Sequence, residues 1–319
     1  QPLIMKSTRF LLCFLLLEAA STFKICSFNV QSFGESKSSN EKVMLSLVKI
    51  VSRCDVCLLQ EVRDSKGRAV PKLIRDLNRY DEKHKYEFVA SGRLGRTEAY
   101  QEQYVFVYRS DQVEVKDKYQ YPDRQKGDVD AFAREPFVVH FRAPKTVARD
   151  IVLIPQHTAP ANATKEIDEL YDVFQEVKRL WKIKNVMFLG DFNAACGYVP
   201  KKDWKNIRLF TQPGFFWLID NKADTTVRAT TDCAYDRIVV HGDSFFQGIV
   251  PHSAKPFNFA REFHLREDEA LEVSDHYPVE VEIKTTSSGY KDSPISYSRS
   301  TFTSIQTLMK VLLVLFFCL

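Results

Sequence analysis

The stretch Val186-Met187-Phe188-Leu189-Gly190-Asp191-Phe192-Asn193 decides how this chain is read. Four apolar residues and a glycine run straight into an acid and an amide. This is the pattern of a short strand, covered on both faces, that ends in chemistry-bearing groups. The same shape recurs: Lys24-Ile25-Cys26-Ser27-Phe28 ends in Asn29, Val56-Cys57-Leu58-Leu59 ends in Gln60-Glu61, and Ile151-Val152-Leu153-Ile154-Pro155-Gln156 ends in His157. Two further polar sites open strands instead of closing them: Asp236 before Arg237-Ile238-Val239-Val240, and Asp275-His276 before Tyr277-Pro278-Val279. The start of an antiparallel strand lies at the same sheet edge as the end of its neighbour. A cooperating strand order therefore gathers all six sites on one rim.

One acid after a strand is ordinarily a loop residue. Six such sites, two of them with histidine, suit metal-assisted hydrolysis. Hard carboxylate and amide oxygens hold Mg²⁺ or Mn²⁺, and such an ion steadies charge on a phosphate or a leaving oxygen. Two histidines supply an acid/base pair, each needing a carboxylate to orient its ring.

Outward from these ends the chain alternates strands and helices. Strands are expected over 23–30, 56–60, 86–90, 104–108, 137–141, 151–155, 186–189, 238–240 and 279–283. Helices are expected over 41–52, 71–78 and 165–181, the last with Ile167, Leu170, Tyr171, Phe174, Val177 and Trp181 in one stripe. No repeat and no Pro/Gly/Ser-rich interior linker divides the chain, so one α/β domain over 23–284 is expected. The acidic run 262–272 reads as a solvated helix face. Hydrophobic content of 45% builds a sizeable core, and a net charge of +4 permits a polyanionic substrate without arguing for one.

The ends read as processing signals. Met5, Lys6 and Arg9, the apolar run 10–17, and Ala19, Ala20 and Ser21 make a secretory signal over 1–22, with 1–4 upstream of the initiator. A polar spacer over 285–307 precedes an apolar tail over 308–319, the pattern of a GPI-attachment signal, with a tail anchor as the alternative. The expected location is the secretory pathway, on the cell surface or a lumenal membrane, with plain secretion as the alternative. Between these ends lie Cys26, Cys54, Cys57, Cys196 and Cys233, an odd number that leaves a thiol over. Cys54-x-x-Cys57 has no second pair at zinc spacing and runs into an apolar strand, so it reads as structural. Asn162-Ala163-Thr164 is a glycosylation sequon.

Ser27-Phe28-Asn29-Val30, Leu59-Gln60-Glu61-Val62, Gly190-Asp191-Phe192-Asn193-Ala194 and Ser274-Asp275-His276-Tyr277-Pro278-Val279 resemble the motif set of the endonuclease/exonuclease/phosphatase superfamily. Leu94-Gly95-Arg96, Arg134-Glu135-Pro136-Phe137, Asp224-Thr225-Thr226 and Cys233-Ala234-Tyr235-Asp236-Arg237-Ile238 narrow the likeness to the deoxyribonuclease I family, and the apolar tail to its membrane-anchored branch. The resemblance implies a four-layer sandwich of two packed, mainly antiparallel six-stranded sheets flanked by helices. It implies a monomeric endonuclease that hydrolyses DNA to 5′-phosphate ends, stimulated by Ca²⁺ with Mg²⁺ or Mn²⁺.

Residue by residue, the resemblance makes His157 and His276 the catalytic pair, oriented by Glu102 and Asp236. His276 would activate water and His157 protonate the departing 3′ oxygen, or the reverse. Glu61, Asp191 and Asp275 would hold the metal, and Asn29 and Asn193 would position the phosphate. Arg63, Tyr100 and Arg134 match DNA-contacting positions, and Cys196 with Cys233 match a disulfide. Asp123, Asp130, the Phe132 carbonyl and Glu135 match one structural Ca²⁺ site; Asp224, Thr226 and Thr231 match a second. Gln31 stands in place of a phosphate-binding arginine, and a small disulfide near 121–127 is absent. Ala90 and Phe137 replace residues that meet actin, so inhibition by actin is not expected. A lipid or inositol phosphodiesterase would use the same core, but Arg134-Glu135-Pro136 and the stretch 233–238 argue against it. An inactive adhesion scaffold is opposed by the intact His157, His276, Glu102 and Asp236.

Overall fold

The computed structural model describes residues 22–98, 100–125 and 128–286. Apart from Thr22, Thr285 and Thr286, the expected signal, spacer and tail lie outside the described residues. The strands are β1 (Thr22–Phe33), β2 (Val56–Val62), β3 (Tyr86–Ala90), β4 (Leu94–Thr97), β5 (Tyr100–Arg109), β6 (Glu114–Gln120), β7 (Arg124–Gln125), β8 (Asp128–Val129), β9 (Phe137–Ala143), β10 (Arg149–Pro155), β11 (Val186–Asp191), β12 (Phe215–Trp217), β13 (Asp236–His241), β14 (Lys255–Pro256) and β15 (Val279–Lys284).

One sheet runs β14-β15-β1-β2-β5-β3, with β4 paired to β5; the other runs β12-β13-β11-β10-β9-β6. Each sheet is built around one parallel pair with antiparallel neighbours. In the first, β1 and β2 set Asn29 opposite Gln60; in the second, β10 and β11 set Pro155 opposite Leu189. A parallel pair needs a long crossover. Helix Glu41–Val51 follows β1, and helix Ala163–Trp181 follows β10.

The inner faces meet through Ile25, Leu58, Phe106, Phe141, Leu153, Met187, Ile238 and Val281. The outer face of the first sheet, with Phe28, Leu59 and Val107, is covered by helices that include Glu41–Val51 and Ala69–Tyr80. Helix Ala163–Trp181 covers Ile154, Phe188 and Val239 of the second. Both faces of each central strand are thus buried, which is why these strands read as apolar runs without alternation. Each large side chain removed from water contributes about 1.5–3 kcal/mol. The four layers match the expected sandwich.

The first sheet has seven strands instead of six, because short β4 joins it. Edge strand β6, Glu114-Val115-Lys116-Asp117-Lys118-Tyr119-Gln120, escapes a reading based on apolar runs because it is mostly solvated. Lysines on an edge deter unwanted pairing. β5 begins at Tyr100, four residues before the expected 104, and this brings Glu102 into the sheet opposite Leu94. Among the described residues no helix is long and apolar enough to cross a membrane.

Candidate active site

The strand ends converge on one rim of the sandwich. His157, just past β10 of the second sheet, shares its Nδ1 proton with Glu102 Oε1 on β5 of the first, at 2.6 Å. His276, just before β15 of the first sheet, bonds through Nδ1 to Asp236 Oδ2 on β13 of the second, at 2.8 Å. Each dyad therefore spans the two sheets. The free Nε2 atoms both face Asp191 Oδ2, at 3.7 Å from His157 and 3.5 Å from His276.

The amide of Asn29 donates to Glu61 Oε1 and to Asp191 Oδ2, both at 3.1 Å, and so seats two carboxylates on either side of one group. Asp275 is the more open carboxylate, with Oδ1 at 4.0 Å from His276 Nε2. Carboxylates such as Glu61, Asp191 and Asp275 are hard oxygen donors of the kind that suits Mg²⁺ or Mn²⁺; the Asn29 amide turns its NH2 to two of them while its Oδ1 accepts from Gln31 N at 3.0 Å. Asp191, Asp236 and His276 also bring ligand atoms within 4.8 Å of one another. That trio fits an ion less well, since Asp236 is fully buried and already bonded to the ring it orients.

Burial opposes charge on both imidazoles, but neighbouring carboxylates outweigh it. His157 is raised by Glu102, and His276 is pushed up to about 10 by Asp236 and Asp191. The carboxylates diverge. Burial works against ionising Glu102, yet His157 and Arg134 hold it below the usual range. Asp236 is raised by burial despite His276. Asp191 is held low against its burial by the two imidazoles.

Asn193, expected at the phosphate, donates to the Thr158 carbonyl at 3.2 Å. Other residues hold the rim without standing out in the sequence as sites: Ser274 Oγ donates to the Asn29 carbonyl at 2.7 Å while accepting from His276 N at 3.1 Å. Buried Glu166 accepts from Gln156 Nε2 and from Ala159 N, bracing both sides of His157. Lys37 Nζ donates to the carbonyls of Val30, Gln31 and Val273, and burial lowers it to about 8. Gln31, Ser32, Glu61 and Asn193 all take left-handed backbone. Such residues are uncommon outside glycine and gather at functional sites. The turn at Gln31 and Ser32 aims Ser32 N at Glu61 Oε2, at 3.0 Å.

A profile of the Endonuclease/Exonuclease/phosphatase family matches residues 26–276. The chain is 51% identical over 277 residues to deoxyribonuclease gamma of Rattus norvegicus, covering 86% of this chain and 89% of that protein. It is 48% identical over 286 residues to deoxyribonuclease-1-like 1 of Chlorocebus aethiops, covering 90% and 92%. This chain belongs to the deoxyribonuclease I family. The fold agrees with a solved endonuclease/exonuclease/phosphatase family protein from Leptotrichia buccalis C-1013-b, with a TM-score of 0.58 at 16% identity over 82% of this chain and 99% of that one.

The remaining positions taken from the deoxyribonuclease I family resemblance fall as follows. Tyr100 is exposed, and the Arg63 guanidinium lies 4.3 Å from its ring centre. Arg134 differs from the expectation of an arm reaching for DNA. It is buried, with Nε 2.9 Å from Glu102 Oε1 and an N–H donated to the His157 carbonyl at 3.1 Å. Its side chain backs the His157 dyad.

Asp224, Thr226 and Thr231 do come together: Thr226 Oγ1 lies 2.6 Å from Asp224 Oδ1 and 2.8 Å from the Thr231 carbonyl. The first calcium set is occupied differently. Arg96 pairs with the Asp130 carboxylate and donates to the carbonyls of Asp130 and Phe132, while Asp123 Oδ2 accepts from Phe132 N. A guanidinium thus sits on the expected ligand atoms, while the Glu135 carbonyl accepts from Gln120 Nε2 at 3.0 Å.

Cys196 pairs with Cys233 as the resemblance implied. Cys26 pairs with Cys54, and Cys57 is the buried free thiol among the described residues, its ionisation suppressed by burial. This fits a structural reading of Cys54-x-x-Cys57. Asn162 is exposed at the start of helix Ala163–Trp181.

Proposed function

We propose that this protein is a divalent-metal-dependent endonuclease that hydrolyses DNA phosphodiester bonds to 5′-phosphate ends through His157 and His276. That it is a deoxyribonuclease follows from the family to which it belongs. The observation that carries the mechanism is the pair of imidazoles, each oriented at Nδ1 by a carboxylate, whose Nε2 atoms face one point beside Asp191.

An in-line displacement at phosphorus needs a group to take the proton of water and another to protonate the departing oxygen. Two oriented rings facing one carboxylate oxygen meet that need. Glu61, Asp191 and Asp275 would hold the metal ion, which would supply charge stabilisation to the phosphate and weaken the pull of Asp191 on the ring protons. Asn193 would orient the phosphate, and Arg63 with Tyr100 would meet the flanking duplex, the arginine at phosphates.

Plasmid nicking tests the reading: His157→Ala and His276→Ala should each lose about 10²–10⁴-fold, and substantial activity in both would sink it. A substrate with sulfur replacing the departing 3′ oxygen needs no acid. It should rescue only the variant that lacks the acid, and so assign the two roles.

The same reading extends to the rest of the chain. A signal, a GPI anchor and a glycan at Asn162 would place the enzyme on a secretory-pathway membrane; phospholipase C should then release it from cells. Structural Ca²⁺ is supported at Asp224, Thr226 and Thr231, where the ligand atoms converge. At Asp130 and Phe132 the guanidinium of Arg96 already holds the acceptors, and that set does not fit an ion as it stands.

A further inference from the structure

Gln60 sits directly before Glu61, is fully buried, and belongs to the first sheet. Both ends of its amide leave that sheet. Nε2 donates to the Gln156 carbonyl at 2.7 Å, and Oε1 accepts from Asp191 N at 2.9 Å. The orientation follows from chemistry, since a carbonyl only accepts and a backbone N–H only donates. Asp191 ends β11 of the second sheet and Gln156 directly follows β10, so one lies at the carboxylate both rings face and the other one residue before His157. A single neutral amide thus measures the distance between Glu61 on one sheet and His157 with Asp191 on the other.

The backbone opposite is shaped to admit it. Gly190 has φ +140°, and a Cβ there would come within 2.1 Å of the Gln156 carbonyl and 2.6 Å of Gln60 Nε2. A side chain at Gly190 would therefore strike both partners of the bridge, on a backbone conformation that side chains rarely adopt. Asn29, opposite Gln60 in the β1–β2 register, makes a second link, from Glu61 to Asp191.

We propose that Gln60 is a positioning residue for the reaction: its amide clamps the two sheets at the spacing in which the metal-holding carboxylates and the two imidazoles act on one phosphate. The inference rests on the proposed function of the rim. It concerns a residue that touches neither substrate nor ion and acts through Asp191 and the His157 segment.

The test uses the full chain, a supercoiled plasmid and Mg²⁺. Gln60→Met removes both bonds without adding charge. It should lower kcat about a hundredfold, the upper range for a group supporting ligands from behind, with KM for DNA within about twofold. Gly190→Ala should do the same from the other side. Gln60→Asn discriminates clamping from polarity alone: it keeps the amide, but its shorter side chain cannot reach both the Gln156 carbonyl and Asp191 N, so it should lose kcat as Gln60→Met does.

Retention of kcat within about threefold in Gln60→Met would overturn the clamp. So would wild-type kcat in Gln60→Asn. Should Gln60→Met not fold, Gln60→Asn alone decides. His157→Ala and His276→Ala run beside these variants separate the two ideas. If both are inactive while Gln60→Met is fully active, only the clamp fails. If both stay active, the proposed function of the rim fails and the clamp's role goes with it.

Discussion

His157 with Glu102 and His276 with Asp236 share one construction: a ring on one sheet, its carboxylate on the other, and a free Nε2 toward Asp191. They differ in what stands behind the carboxylate. Glu102 is also paired with buried Arg134, whereas Asp236, among the described residues, pairs with His276 alone. Glu102 is accordingly held below the ordinary carboxylate range while Asp236 is pushed above it. Two dyads of nearly equal geometry therefore hold their protons differently: burial, with the nearby charge of Asp191, raises Asp236, whereas His157 and the added charge of Arg134 overcome burial at Glu102. A reaction that needs one ring to take a proton and the other to give one is served by that inequality.

Neutralising each carboxylate should break the comparison most sharply. Asp236→Asn and Glu102→Gln should each cut plasmid nicking by about 10²–10⁴-fold, the range for an acid/base group. Stability should separate them. Without Asp236, His276 can release its proton and stay buried as a neutral ring. Without Glu102, Arg134 cannot discharge, and a stranded buried cation costs about 3–5 kcal/mol. Urea unfolding should therefore show Glu102→Gln much the weaker protein; equal losses would mean that Arg134 is not committed to Glu102.

Arg134→Met should make the first dyad resemble the second. The arginine's charge lowers the proton affinity of His157, so its removal should move the His157 titration, followed by NMR, to higher pH. Activity should fall about ten- to a hundredfold, the cost of losing a group behind a catalytic one. A residue serving only as a DNA contact would instead weaken duplex binding and flatten its salt dependence, with His157 unmoved.

The pH dependence of stability sharpens the contrast further. In metal-stripped protein His276 is raised from 6.5 to about 10. A group raised on folding contributes stability that is whole below its unfolded value and fades as pH climbs through its folded one. The melting temperature of the metal-stripped protein should thus decline from about pH 6.5 to about pH 10. His276→Ala should flatten that decline.

Much of this was legible because a covered strand that ends in an acid, amide or histidine leaves an unbroken apolar run with a polar stop. Asn29, Glu61, His157 and Asp191 announce themselves that way. Glu102 does not: it lies in Tyr100-Gln101-Glu102-Gln103, where solvated and buried polar residues look alike, and only the resemblance singled it out. Arg134 was identified as important, but residue type says nothing of which way a guanidinium turns. Gln60, Lys37 and Glu166 act by side-chain bonds to remote carbonyls and amides, such as Val273 from Lys37, and such bonds leave no local periodicity. The pairing of Cys26 with Cys54 was hidden for a related reason. Cys26 lies opposite Cys57 in the β1–β2 register, yet it bonds the cysteine that precedes β2.

The smallest effect on turnover is expected at the disulfide beside the second dyad. Cys233 lies three residues before Asp236 and Cys196 three after Asn193, so the bridge ties the approaches to both. The first dyad has Arg134 in the corresponding supporting role. A bridge that closes a long loop stabilises by about 2–4 kcal/mol, and the Cys196→Ser/Cys233→Ser protein should lose about that much in urea unfolding. Asp236, however, is also placed by Thr225 Oγ1, which accepts from Asp236 N at 3.2 Å and donates to the Cys233 carbonyl at 3.0 Å. Those bonds do not need the sulfurs. Below the melting temperature, nicking should therefore fall only about threefold, a cost near 0.7 kcal/mol in the barrier. A hundredfold loss in a folded double variant would show that covalent closure, and not the Thr225 hydroxyl, holds Asp236 against His276.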